Sequence, residues 1–419
     1  MWRRHRFPPS LWLAAVALAA CQDSVGPEQS VGPSLARQPL KRVWTVTSLE
    51  DPGIGDCTSD ACTLRQALAA AGNGDKIVFK GNLSGTIVLT VGFLPFFTSD
   101  VTVDGGGRIT IDAQDGGRVL AVADGRTVNL VGLTLTGGLS TDGAGILNAG
   151  TLTVSNSTIT RNESTGNGGG ITNTGTLTLV STTVSVNNAQ QSGGGIYTTG
   201  PITVRRSTFF ANFAVTDGGG IYATANSATV IASTISGNVV GSGGNARGGG
   251  IFADASLMLR SSTVTQNAAE GAGIGGGIFA TNDFATVANS IVAGNSAGTA
   301  GPDCAESDRF VSLGYNLTTE YGGCDAFGAS TDVKVALLSQ VFTDVLDWTL
   351  MDNGGPTATH ALIERGRAVD AGYCPGETAD QRGLARPVDE PLRPSVADGC
   401  DIGAFEWRPA VTRKGGGSK

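Results

Sequence analysis

The stretch "GGGIYTTGPITVRRSTFFAN", residues 193–212, decides the fold. A glycine cluster can cradle a phosphate or simply turn a chain, and its recurrence separates the two readings. GGGI returns with its isoleucine at Ile171, Ile196, Ile221, Ile251 and Ile278, and the related GAGI places Ile146 ahead of them, at spacings of 25, 25, 25, 30 and 27. A second landmark keeps step. The pattern Ser-Thr-apolar-x-x-Asn ends at Asn162, Asn187, Asn212, Asn238 and Asn267, with a variant ending at Asn295, at spacings of 25, 25, 26, 29 and 28. Two landmarks in register over six copies define a repeat. Each unit holds short alternating runs such as "LTLV" (177–180) and "TVI" (229–231), separated by glycine or asparagine, with no helical period. About three such strands cannot bury an apolar face alone, so copies must stack. The expected fold is all-β: a single right-handed parallel β-helix, one copy per rung, rungs about 4.8 Å apart and about 8–9 coils in all. "GTIVLTV" (85–91), "DVTVDGGGRITID" (100–112) and "RTVNLVGLTLTGG" (126–138) extend the array toward the N-terminus.

In this setting Gly271, Gly273 and Gly276 match GxGxxG, yet "IFATNDFATVA" follows them instead of the helix a dinucleotide needs, so no nucleotide site is expected. The six asparagines hold one position per rung and are expected to form a hydrogen-bonded ladder up the stack. Tyr197, Tyr222, Phe252 and Phe279 directly follow the inward isoleucines, so alternation points them outward. That row is the candidate ligand-stacking face, for a sugar chain or a partner, unless it serves cross-strand packing alone.

The chain has 419 residues, 63 of them glycine, with 40% hydrophobic and 15% charged residues and a net charge of −8. Arg3, Arg4 and Arg6 precede an apolar run, Leu11 to Ala20, too short to span a bilayer, which reads as an export signal over residues 1–20. Its removal leaves 25 basic against 36 acidic residues, a net −11. Such a body is a poor partner for nucleic acid or anionic lipid.

Cys21 follows Leu18-Ala19-Ala20 in a string that resembles the lipobox of bacterial lipoproteins, which implies a lipidated first residue and attachment to a membrane through it. An ordinary signal peptide cut near Ala20 would instead leave a free thiol. Residues 21–42 read as a flexible tether. The six remaining cysteines fall into near neighbours, Cys57 with Cys62, Cys304 with Cys324 and Cys374 with Cys400, and in an exported protein disulfides are the default.

The repeat units resemble the GGGIYN…GTLTVTNSTISGNSA repeats of right-handed parallel β-helix surface proteins, akin to the chlamydial polymorphic outer-membrane repeats and the wider pectate-lyase-like superfamily. "CTLRQALAAAGNGDKIVF" (62–79) resembles their CSLREA-type segment, with Thr63 for Ser and Gln66 for Glu. "NGGPTATHALIERGRAVDAG", "DQRGLARP" and "CDIGAFEW" (353–407) are similar to the choice-of-anchor Q region. The C-terminal anchor usual in relatives is replaced here by "RPAVTRKGGGSK", so Cys21 would take over anchoring. The expected organisation is an N-terminal cap with a short helix over 43–82, the β-helix over 83–303, C-terminal coils and a cap over 304–407, and a disordered tail over 408–419. Leu64, Ala67, Leu68 and Ala71 share one face of that helix.

The resemblance implies a surface-exposed rod on the envelope, in the outer membrane or at the cell surface, for adhesion or for binding a polysaccharide or surface protein. The superfamily also contains polysaccharide lyases and glycosidases, so a carbohydrate-active enzyme is the alternative. Between 139 and 303 the acids are only Asp142, Glu163, Asp217, Asp254, Glu270, Asp283 and Asp303. Asp142 and Asp217 sit three rungs apart, about 14 Å, beyond the roughly 5–9.5 Å a glycosidase pair needs. Arg205 and Arg260 are equivalent positions two rungs apart, near 10 Å. No catalytic residue is assigned, and no cofactor or metal is expected. The one calcium candidate is Asp51, Asp56 and Asp60 around Cys57, which read more simply as a solvated turn. Asp380, Arg382 and Arg386 are read, from their match to the family motif, as fixing the fold of the C-terminal region.

Overall fold

The structure, a computed structural model, describes residues 41–53, 55–241, 244–390 and 392–409. The expected signal peptide, Cys21, most of the tether and most of the tail lie outside the described residues.

Each repeat makes one coil of a parallel β-solenoid of about nine turns. In the copy quoted above the strands are Ile196–Thr198, Ile202–Arg205 and Thr208–Phe210, followed by a two-residue strand, Phe213–Ala214, that extends the expected three to four. Like stacks on like: Ile171, Ile196, Ile221, Ile251 and Ile278 pair in register. Val184, Phe209, Ile235 and Val264 form a second column. All of these are at most 1% exposed, because alternation sends every second side chain into the coil. Gly168, Gly193, Gly218, Gly248 and Gly275, the first glycine of each triplet, all adopt φ between +64° and +72°, the left-handed corner that a Cβ would strain.

Two polar ladders stitch the coils. Each ladder asparagine donates its Nδ2 to the Oδ1 of the next, from Asn162 through Asn187, Asn212, Asn238 and Asn267 to Asn295, over 2.8–2.9 Å. Each backbone N–H meets the same neighbouring oxygen at 3.0–3.1 Å. The last amide, Asn295, donates to Asp303 at 3.0 Å. A parallel seam uses the serine of the Ser-Thr landmark: the Thr182, Ser207, Ser233 and Ser262 N–H groups donate to the hydroxyls of Ser207, Ser233, Ser262 and Ser290 over 3.1–3.2 Å.

At the N-terminal end the expected helix is Leu64–Ala70, with Leu64 and Ala67 buried. Thr63 and Gln66 form a reciprocal capping box: the Thr63 N–H donates to Gln66 Oε1 at 2.9 Å and the Gln66 N–H to Thr63 Oγ1 at 3.4 Å. Thr63 and Gln66 therefore cap the helix. Asp51 corrects the reading of its turn, because it is 5% exposed and accepts both Nε and Nη2 of buried Arg65, at 2.6 and 2.8 Å. Burial opposes its charge, but the Arg65 guanidinium holds its carboxyl below the ordinary value. Asp56 and Asp60 are exposed and do not converge with it.

The C-terminal region also departs from the expected cap. After Val333–Val335 and the helix Leu338–Asp344, the chain turns back along the flank of the solenoid. It meets coils as early as that of Thr208, whose hydroxyl donates to the Ala358 carbonyl at 2.6 Å. Gln381 binds the Thr208 and Thr234 hydroxyls at 2.8 and 2.6 Å, His360 meets Ser236 at 2.8 Å, and the Ala404 N–H donates to Thr263 Oγ1 at 3.2 Å. This strap buttresses the wall where each coil offers a Ser or Thr. The three expected disulfides are present: Cys57–Cys62, Cys304–Cys324 and Cys374–Cys400.

Candidate functional site

The aromatic row lies opposite the isoleucines, as alternation requires, but its exposure differs from expectation. Tyr197, Tyr222, Phe252 and Phe279 stack nearly parallel, with centroids 5.0, 4.6 and 5.4 Å apart. Phe252 and Phe279 are only 3% and 4% exposed. The Arg247 guanidinium covers both rings at 4.8 and 5.3 Å, and Asp217 fixes it through two 2.9 Å hydrogen bonds. Arg247 holds the register position directly before the glycine triplet, bridged to Asp217 in one neighbouring coil and Ile274 in the other, so the lid is a single side chain at an ordinary position of the coil. The ring faces are used by one another and by Arg247, and only Tyr197 and Tyr222 keep partial access.

The strap contains a buried charged knot. Arg382 pairs with Asp380 at 2.7 Å and lies 3.6 Å over the Phe405 ring. Arg386 pairs with Glu406 at 2.9 Å, both side chains fully buried, and also donates to the carbonyls of Gly403 and Asp401. The expected structural role of these residues agrees with this geometry, while the neighbouring Asp370, Asp401 and Glu406 were not legible as partners. Burial pushes Asp370 up to about 6, and burial with the adjacent Glu406 carboxylate pushes Asp401 up to about 8. Perturbed acids often mark catalysis, but Asp401 and Glu406 are both 0% exposed.

A pH dependence follows. The folded chain keeps these protons above the usual 3.8, where an unfolded chain has lost them, so stability falls as pH rises between about 4 and 8. Asp303, pushed by burial to about 6, adds to the lower part of that window. Asp51, held low, acts only below about pH 4. Thermal midpoints are expected to decline from pH 5 to pH 9, and Asp401→Asn to flatten the upper half of that decline.

Between strap and wall lies an open slot that sequence reasoning did not find, although Arg205 and Arg260 had been placed in one column. The register Arg205, Ile231, Arg260, Ala288 runs along the wall, and residues 373–379 of the strap cross it. One opening, of about 270 Å³, is lined by Arg205, Arg206, Ala232, Glu377 and Thr378 among others. A second, of about 250 Å³, is lined by Met258, Arg260, Leu313, Tyr315 and Tyr373 among others, with the two tyrosine rings 5.5 Å apart and tilted by 40°. Between them Arg260 donates to the Pro375 carbonyl at 2.9 Å and faces Glu377 at 2.8 Å. Among the described residues Arg205 and Arg206 form no ion pair.

No protein-family model matches the chain, and no curated protein matches it. Among solved structures it is similar to a crystal structure of pectate lyase Pel9A, at 15% identity and a TM-score of 0.48, over 88% of this chain and 97% of that one. No helix among the described residues is long and apolar enough to cross a membrane.

Proposed function

We propose that this protein is a non-catalytic, stiff rod held on the bacterial envelope by lipid on Cys21, and that it binds a glycan or a surface protein along its lateral wall. The observation that carries this reading is the use of four of the seven coil carboxylates, the other three, Glu163, Glu270 and Asp283, being exposed on the surface. Asp142 accepts the Asn167 N–H of the next coil at 2.9 Å, Asp217 holds Arg247, Asp254 accepts from Asn282, and Asp303 receives the asparagine ladder. Their oxygens join coil to coil instead of facing one another across an open cleft at the spacing of an acid–base pair. The ladders support the mechanical half of the reading, since each coil is hydrogen-bonded to its neighbours through both backbone and side chain.

A screen of neutral and acidic polysaccharides tests it with two readouts, retention of the protein and appearance of new reducing ends or unsaturated uronides. Retention without products is expected, and products would establish the enzyme reading in its place. Cys21→Ser is expected to move the protein out of the membrane fraction. A variant that still pellets with membranes would remove the anchor from the proposal.

A further inference from the structure

We infer that the slot between wall and strap is an anion-binding site for an acidic glycan, and that Glu377 is a resident placeholder for the ligand's negative group. This rests on the binding reading above and gives it a location and a ligand chemistry.

The starting point is an anomaly. Glu377 keeps 12% of its side chain exposed, and both its carboxylate oxygens are buried yet accept no hydrogen bond. The Arg260 Nε lies 2.8 Å away but off the direction its N–H points. Buried carboxylates are ordinarily satisfied, because an orphaned charged acceptor is costly. Here the carboxylate faces the Arg260 guanidinium and shares its opening with Arg205 and Arg206, in a chain of net charge −8. A carboxylate or sulfate entering the slot can approach these N–H groups in line, which Glu377 does not, and charge-assisted bonds of that kind are the stronger ones. The exchange replaces a poor internal contact with a good external one.

The second opening supplies the rest of the recognition. A sugar ring presents C–H faces and polar edges, and Tyr315 and Tyr373 with Met258 and Leu313 offer an apolar bed beside the arginines. A folded protein partner would need roughly 800 Å² of matching surface on each side. A narrow slot crossed by one strap segment suits a chain-like ligand better. Arg205 and Arg260 occupy wall positions two rungs apart, near 10 Å along the backbone, which favours a polymer with recurring charge over a single anion.

The test measures binding of the whole protein to dextran, carboxymethyl-dextran and dextran sulfate of matched length. Wild type is expected to bind one or both charged polymers, more weakly as salt rises, and to ignore dextran. The carboxymethyl and sulfate arms identify which anion is read. Arg205→Ala with Arg206→Ala should weaken binding at least about tenfold, and Glu377→Gln should strengthen it severalfold. Arg205 is exposed and Arg206 half-buried, so the double variant is read at an unchanged thermal midpoint, with Arg205→Ala alone as the second variant. Glu377→Gln binding unchanged or weaker, at an unchanged thermal midpoint, would overturn the placeholder role. Charged-polymer binding indifferent to the arginine variants would overturn the site and leave the rod standing. Binding to none of the three polymers would overturn the site together with the glycan half of the proposed function.

Discussion

Asn212→Ala is expected to destabilise the fold by about 3–5 kcal/mol and to open the coils around it to proteolysis between Val184 and Phe213. Asn212 is 0% exposed. Its Oδ1 accepts the Asn187 N–H at 3.1 Å and the Asn187 amide at 2.9 Å, while its Nδ2 donates to the Val184 carbonyl at 2.9 Å and to Asn238 at 2.8 Å. Truncation leaves the Asn187 N–H without a partner. Each buried orphan costs about 1–3 kcal/mol, and the missing amide adds a cavity. Urea unfolding measures the total, and limited proteolysis with mass mapping locates it. A loss below 1 kcal/mol would mean that the ladder contributes little to holding the coils.

Gly194→Ala should cost about 3 kcal/mol, at the upper end of the overpacking range. A Cβ there would lie 2.3 Å from the Phe213 carbonyl oxygen and 2.6 Å from that of Gly219, both backbone atoms of the adjoining coil. Neither can retreat easily, since Gly194 donates to the Gly218 carbonyl at 3.2 Å and the Phe213 N–H to that of Asn187 at 2.8 Å. Relief requires prising two coils apart. Gly81, where a Cβ would meet nothing within 4 Å, is the matched control, and Gly81→Ala should stay within about 0.5 kcal/mol. Equal effects at the two positions would contradict close coil approach as the reason for the glycine triplets.

The coils were legible because their constraints are local and repeated: the same glycine, isoleucine, serine and asparagine recur in one register, and each recurrence reports a stacking contact. The aromatic row was legible in direction but not in exposure. Its cover comes from Arg247, one cation at the register position that Asp217 and Ile274 hold in the coils on either side, and no periodicity announces it. The strap was not legible. Its attachment depends on single side chains, Gln381, His360 and Thr357, reaching wall positions more than a hundred residues away, and no periodicity announces such contacts. The slot inherits that difficulty, because Arg205 and Arg260 belong to the coils while Glu377 and Tyr373 belong to the strap.

Asp303 gives the asparagine ladder a direction. Every amide above it both gives and receives, whereas this carboxylate only receives: Oδ1 from Asn295, and Oδ2 from the Thr319 N–H at 3.3 Å and from the Thr319 hydroxyl. The series thus ends on a residue that asks for no further donor site beyond itself. Whole repeats upstream of the coils that the strap clamps, those before Thr208, can then be gained or lost while the Asp303 end and the strap contacts remain matched, and each changes reach by about 4.8 Å. The distance between the N-terminal helix and the slot becomes a quantity that gene duplication can tune in fixed steps, without altering the residues that line the slot.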